Sequence, residues 1–336
     1  MGASAAVFGA SGYAGGELIR LIDGHPGFDL VYLGGHSRAG STLGEVHPQL
    51  SGAERPIGPN AHGLAGPVDV AFLALPHGQA AALALPLLAS GARVIDLGPD
   101  FRLDTIERYT EAYRSEHAAA SELGTWTYGL PELVEVVGTV KAAIPGCYPT
   151  AVLLAIAPLL RAGVVEPDGV VADCLSGVTG AGRGLEVDHL FGEVAEGVRA
   201  YAVGSHRHRP EIEMALELVT GAPASVTFTP HLVPMQRGLL ATVTARLKSD
   251  ADPRAMLEEA YAKSLFVSVI DRPPQTRWTV GSNRALVAAF VDRGMVIAQC
   301  AIDNLLKGAA GQALQVANLM FGYEEGSGLP LSGWMP

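Results

Sequence analysis

The most constraining feature of this chain is a turn close to its start. Phe8-Gly-Ala-Ser-Gly-Tyr-Ala-Gly-Gly16 sets Gly9, Gly12 and Gly15 at G-x-x-G-x-x-G spacing, between an apolar run that reads as a strand and one that reads as a helix. Glycine lets a backbone turn tightly and come close to a pyrophosphate, whose charge a helix N-terminus then stabilises. A glycine trio alone also fits an ordinary strand-to-helix turn. Its place at the first strand of an alternating segment favours a dinucleotide site. Ala5–Phe8, Leu30–Leu33, Val68–Leu75 and Arg93–Leu97 read as strands, with helical stretches at Gly16–Ile22 and Ala80–Leu88. That alternation predicts βαβ units and a parallel sheet that binds ligands at the carboxyl ends of its strands.

The end of the second strand bears on the choice of nucleotide. An acidic residue there would bind the ribose hydroxyls of NAD, but the chain reads Gly34-Gly-His-Ser-Arg-Ala-Gly40. Ser37 and Arg38 suit a 2′-phosphate through a hydroxyl hydrogen bond and a guanidinium contact, which points to NADP.

Beyond residue 147 the pattern changes. A helix over Thr150–Ala162 is followed by strand-like runs at Val170–Leu175, Ser225–Thr229, Gly238–Leu247, Arg284–Val291 and Met295–Ile302. Val291-Asp-Arg-Gly-Met295 resembles a hairpin turn, so a mainly antiparallel sheet with helices is expected. Leu305–Phe321 predicts a last helix, rich in small residues, that returns to the first domain. The expected α/β fold is a Rossmann-like parallel-sheet domain, 1–146 completed by 305–336, plus an α+β domain with a mainly antiparallel sheet, 147–304.

The three cysteines differ in setting. Cys174 and Cys300 lie inside apolar strand runs and read as small buried residues. Cys147, in Ile144-Pro-Gly-Cys-Tyr-Pro-Thr150, stands just ahead of a helix, where exposed N–H groups favour thiolate over thiol. A nucleophilic thiol needs an acid/base partner, and Val203-Gly-Ser-His-Arg-His-Arg-Pro-Glu-Ile212 offers His206 and His208. The arginines interleaved with these histidines would repel a divalent cation, so no metal is expected.

A net charge of −11 argues against nucleic acid or an anionic membrane as partner. No long uncharged apolar run reads as a membrane span, and the start lacks the pattern of a secretory signal. With so few cysteines, a reducing cytoplasm is the expected setting.

"VFGASGYAGGELIRL", "IPGCYPT", "GVTGAGRG", "HRHRPEIE" and "IDNLLKGAAGQALQ", in this order and nearly end to end, resemble the N-acetyl-gamma-glutamyl-phosphate reductase family. "PGCYPTA" joined to "HRHRPEI" is far more specific than the glycine turn. The resemblance implies an NADPH-dependent reductase of arginine biosynthesis, a small-molecule acyl phosphate as substrate, and a homo-oligomer, usually a tetramer, otherwise a dimer. It implies Cys147 as the nucleophile that forms a thioester, with His206 as the preferred acid/base group and His208 as its understudy. Gly9, Ser11, Gly12, Tyr13, Ala14, Ser37, Arg38, Ser176, Gly177 and Asn304 are nominated for the cofactor. Arg102, Arg207 and Glu211 are nominated for the substrate, with Glu211 orienting an arginine or the substrate amide. Gly98-Pro99, where relatives often have two small residues, is a local departure. The alternatives are a homologous acyl-phosphate reductase of lysine biosynthesis, aspartate-semialdehyde dehydrogenase, a non-catalytic NADP-binding redox sensor and a Cys–His hydrolase.

Overall fold

The computed structural model describes residues 2–60 and 66–335. These divide into two compact units. One comprises residues up to 106, 116–145 and 309–329, and the other 107–115, 146–308 and 330–336 within the described range. Residues 107–115 and the last described residues therefore group with the second unit, where the sequence division had put them with the first.

The first unit holds strands β1 (Ala3–Phe8), β2 (Phe28–Gly35), β3 (Gly58–Pro59), β4 (Val70–Leu73), β5 (Arg93–Asp96), β6 (Thr127–Tyr128) and β7 (Lys141–Ala143). They form one sheet in the order β3-β2-β1-β4-β5-β7-β6, with every pairing parallel. Residues 5–8 and 70–73 are buried on both faces, as expected for strands covered by helices on either side. Helices α1 (Tyr13–Asp23), α2 (Leu43–Val46) and α3 (Ala81–Ala89) follow strands of this sheet, and α4 (Ile106–Tyr113) lies almost wholly in the other unit.

Three glycines shape the first turn in different ways. Gly9 has φ +82°, and a Cβ there would lie 2.1 Å from the Ala74 carbonyl oxygen. A Cβ on Gly15 would lie 2.2 Å from the Gly9 carbonyl oxygen, so this glycine lets α1 pack against the turn. Gly12 meets nothing closer than 3.5 Å, which leaves the middle of the turn open to approach.

The second unit is built around α5 (Cys147–Arg161), whose residues 148–160 are all buried. Pro158 lacks the N–H that would bond the Leu154 carbonyl, and Tyr261 donates its hydroxyl to that oxygen instead, at 2.8 Å. Strands β8 (Val170–Gly177), β9 (Arg199–Ala200), β10 (Val226–Val233), β11 (Leu239–Arg246), β12 (Val267–Val269), β13 (Ala285–Asp292) and β14 (Met295–Ile302) form a second sheet. Its order is β12-β13-β14-β11-β8-β10-β9. The β8–β10 and β12–β13 pairs are parallel and the rest antiparallel, so the sheet is mainly antiparallel, as expected, with two parallel pairings. The β13–β14 hairpin turns at Arg293 (φ +48°) and Gly294 (φ +76°), the left-handed pair that matches the twist of the flanking strands. Helices α6 (Phe191–Val194), α7 (His208–Thr220) and α8 (Pro253–Ala260) complete this unit.

The predicted last helix is interrupted. Residues Leu306–Ala310 form a π-turn, in which the Gly308 N–H bonds the Asp303 carbonyl at 3.0 Å, and regular helix α9 follows as Gly311–Phe321. Within the first unit α9 packs on α1, Gln312 donates to the Gly129 carbonyl at 2.6 Å, and the Arg93 guanidinium lies over the Phe321 ring. No helix among the described residues is long and apolar enough to cross a membrane.

Candidate active site

Cys147 is the first residue of α5, directly after the N-cap Gly146, so the helix opens three residues before the predicted Thr150. No side chain caps this terminus and its first turn carries no acidic residue. Negative charge placed there is stabilised by the unsatisfied N–H groups of the helix start. Two neighbours fix the cysteine from either side. Gly146 donates its N–H to Glu211 Oε1 at 2.8 Å, and a Cβ on Gly308 would lie 2.7 Å from Cys147 Cβ. Glu211 is fully buried on α7. Its carboxyl thus holds the backbone of the nucleophile's turn through Oε1.

Cys147 lines a cavity of about 430 Å³, together with Tyr148, Ser176, Gly177, Arg199, Tyr201, His206, Arg207 and His208. All of these belong to the second unit. The rings of His206 and His208 are 4.8 Å apart, packed edge to face against Tyr148. His206 Nδ1 accepts the backbone N–H of His208 at 3.1 Å. That bond assigns the lone pair to Nδ1 and leaves the proton of the neutral ring on Nε2. Burial, reinforced by the adjacent Arg207 charge, lowers the His206 pKa to about 4, so the ring is neutral at physiological pH. The Tyr201 hydroxyl donates to the Tyr148 hydroxyl at 3.0 Å. Burial pushes Tyr201 up to about 12 and Tyr148 higher still, which keeps both phenols protonated beside the thiol.

In the first unit, Gly12 caps α1 without a side-chain bond, and the first turn of α1 has no acidic residue. Ser11, Tyr13 and Ala14 surround this open N-terminus, and Ser37 and Arg38 stand exposed in the turn after β2. The donors of this turn fit a dinucleotide phosphate, and the serine and guanidinium fit a further one.

Comparison with known proteins gives the arrangement its context. The semialdehyde dehydrogenase NAD binding domain model matches residues 4–137, and the semialdehyde dehydrogenase dimerisation domain model matches residues 147–304. The N-acetyl-gamma-glutamyl-phosphate reductase of Salinispora tropica is 48% identical over the full length of both chains. Those of Acidothermus cellulolyticus and Ectopseudomonas mendocina are 47% and 42% identical, covering 100% and 98% of each chain. The chain belongs to the N-acetyl-gamma-glutamyl-phosphate reductase family. Its fold is shared with aspartate semialdehyde dehydrogenase II of Vibrio cholerae, at TM-score 0.72 and 18% identity over 95% of this chain and 98% of that one. Aspartate semialdehyde dehydrogenase of Candida albicans, solved with NADP, gives TM-score 0.66 at 16% identity with the same coverage.

Set in this reductase family, the predicted residues fall into three groups. Cys147, His206, His208, Arg207, Ser176 and Gly177 meet at one cavity. Gly9, Ser11, Gly12, Tyr13, Ala14, Ser37 and Arg38 gather at the carboxyl ends of β1 and β2 in the first unit. The remaining nominees make structural bonds. Arg102, in the first unit, donates from Nε to the Ile144 carbonyl and from Nη2 to the Leu97 carbonyl, both at 2.8 Å. Asn304 accepts the Gly238 N–H at 2.8 Å and donates to Thr179 Oγ1 at 3.0 Å, tying two loops of the reductase together.

Several residues at or beside the cysteine escaped sequence reasoning. Tyr201 and Arg199 come from a stretch without periodicity, and only the pairing of β9 with β10 brings them to the cavity. Gly308 is one small residue among many in its segment. Tyr148, next to Cys147 in sequence, also lines the cavity, and a tyrosine in an apolar helix reads as core.

Proposed function

We propose that this chain reduces N-acetyl-gamma-glutamyl phosphate to N-acetylglutamate 5-semialdehyde and phosphate with NADPH, the corresponding step of arginine biosynthesis, through a thioester on Cys147. The observation that carries this reading is Cys147 at the uncapped start of a buried helix, lining one cavity with a neutral His206. The relatives' printed activity supports the choice of substrate.

In this reading the Cys147 thiolate attacks the acyl carbon, the bond from that carbon to the phosphate oxygen breaks, and inorganic phosphate leaves. Bound NADPH supplies the hydride that converts the thioester carbon to the aldehyde level. His206 Nε2–H donates to the oxygen as negative charge develops there, and the N–H groups at the start of α5 share that charge. The carbon–sulfur bond then breaks, the aldehyde carbonyl reforms, and sulfur leaves as thiolate. Tyr148 and Tyr201, held neutral, add no charge that would oppose thiolate. Gly12, Ser37 and Arg38 hold the nucleotide, the last two at its 2′-phosphate. The match of residues 147–304 to a dimerisation domain supports a homo-oligomer built through the second unit.

The test is the reverse reaction: phosphate-dependent reduction of NADP by N-acetylglutamate semialdehyde, with aspartate semialdehyde and NAD as comparisons, in wild type and Cys147→Ser. The N-acetylated aldehyde and NADP should be preferred and the serine variant inactive. Equal rates with both aldehydes would sink the substrate assignment, and turnover by the serine variant would sink the thioester.

A further inference from the structure

We propose that Arg199 is an oxyanion-binding residue of the catalytic cavity, a site that sequence reading placed at Arg102 and Arg207; the proposal rests on the reaction above and names its substrate-binding group. Arg199 lies on the two-residue strand β9, paired with Leu232 of β10, and lines the same cavity as Cys147 and His206. Its guanidinium is half used. Nη1 stands 2.9 Å from Asp188 Oδ2, and Nη2 donates to the Asp188 carbonyl at 3.0 Å, so Asp188 occupies the end of the fork.

The side edge of the fork begins at Nε. That N–H is buried and meets no acceptor among the described residues. A buried donor without an acceptor is costly, and such groups in native proteins mark places where another species completes the bond. Nε and Nη2 together present two parallel donors at the spacing of two oxygens on one carboxylate or phosphate. Asp188 makes no bond to Nε, and it holds the plane of the guanidinium through Nη1 and Nη2. Its side chain is 71% exposed, so the pair itself adds little to stability and its role is orientation. Arg102, by contrast, has Nε and Nη2 already committed to carbonyl oxygens.

The shared chemistry is a two-oxygen anion. In the proposed substrate two groups supply it, the α-carboxylate and the acyl phosphate, and the reverse reaction separates them because aldehyde and phosphate enter as different reactants. In Arg199→Ala the KM for one of these two reactants should rise at least tenfold, with the KM for NADP unchanged within twofold. A rise for phosphate assigns the phosphoryl group and a rise for the aldehyde assigns the carboxylate. Arg199→Lys, which keeps the charge and loses the fork, should fall between the two. Asp188→Asn keeps oxygen acceptors for Nη1 and Nη2 but removes a carboxylate that repels the incoming anion, so the same KM should fall.

Unchanged KM values for both reactants in Arg199→Ala would overturn the proposal. So would a loss in Asp188→Asn equal to that in Arg199→Ala, because the pair would then be merely structural. A second arm does not depend on turnover. Inorganic phosphate or N-acetylglutamate should slow iodoacetamide alkylation of Cys147 in wild type, and the protection should disappear in Arg199→Ala. Protection that persists in the variant counts against Arg199 even if the assigned reaction is wrong, and absent turnover in wild type with intact protection counts against the reaction alone.

Discussion

The buried carboxyl of Glu211 accepts the backbone N–H of Gly146, 2.8 Å away and one residue before the reactive cysteine. Glu211→Ala leaves that N–H without its acceptor inside the protein, at a cost of about 1–3 kcal/mol. The melting temperature should drop by several degrees and Cys147 alkylation should slow. Glu211→Gln keeps an oxygen at the same place and should recover most of both losses. A glutamine variant as impaired as the alanine one would show that the carboxyl acts on substrate and not on the Gly146 backbone.

The two histidines should separate cleanly. Because His206 accepts a bond from the backbone of His208, His208→Asn leaves the His206 tautomer in place, while His206→Asn removes the Nε2 donor itself. Loss of one such donor typically lowers kcat by about 100- to 1000-fold. His206→Asn should therefore be at least tenfold worse in kcat than His208→Asn, and the reverse order would exchange their roles. With its pKa near 4, His206 stays neutral as pH falls through 6, so it should introduce no decline in wild-type kcat between pH 7 and 5.5. The same shift bears on stability. The unfolded chain takes up this proton near the usual pH 6.5 and the native protein resists it down to about 4, so this group's contribution to stability is lost as pH falls through that window.

At Gly308 the test is steric. An added Cβ would press on Cys147 Cβ at 2.7 Å and on its Cα at 3.3 Å, and the π-turn must move to admit it. Gly308→Ala should lower kcat more than tenfold and change the rate of Cys147 alkylation, with substrate KM little altered. A variant that loses only thermal stability, with kcat and alkylation intact, would limit Gly308 to packing.

Asp96 is a second pH-sensitive group. It is fully buried at the end of β5, and burial together with the nearby Asp100 charge raises its pKa to about 7, against the bonds it accepts and the charge of Arg102. A raised carboxyl favours the protonated native state. Its stabilising contribution is complete below pH 4 and is lost as pH rises towards 7, on the order of 3 kcal/mol over that range. Asp96→Asn keeps an oxygen for the Gly98 N–H and does not titrate. Denaturant unfolding at pH 5 and pH 7.5 should show a weaker decline in the variant than in wild type, and identical slopes would contradict the raised value.

What the chain's order of residues determined by itself was local and repeating. The glycine turn, the alternation up to Arg93–Leu97, the Arg293-Gly294 hairpin and the thiol at a helix start rest on backbone geometry and on periods of two or 3.6 residues, all visible within a few positions. Cys174 and Cys300, read as buried, are fully buried. The sheet's mixed direction was not legible, because β8 and β10 pair in parallel across 48 intervening residues with no periodic signal.

Only the tertiary structure decided how the side chains around Cys147 divide their work. Arg102, Glu211 and Asn304 are nominated for ligands, and packing gives Arg102 Nε and Nη2, Glu211 Oε1 and both polar atoms of the Asn304 amide partners within the protein. Arg199 and Tyr201 reach the cavity because the short strand β9 adds to the sheet's edge, a placement without a local pattern. A residue type states which bonds a side chain is able to make. Which of them remain for substrate depends on what the fold has already used, and that is settled by contacts far apart in sequence.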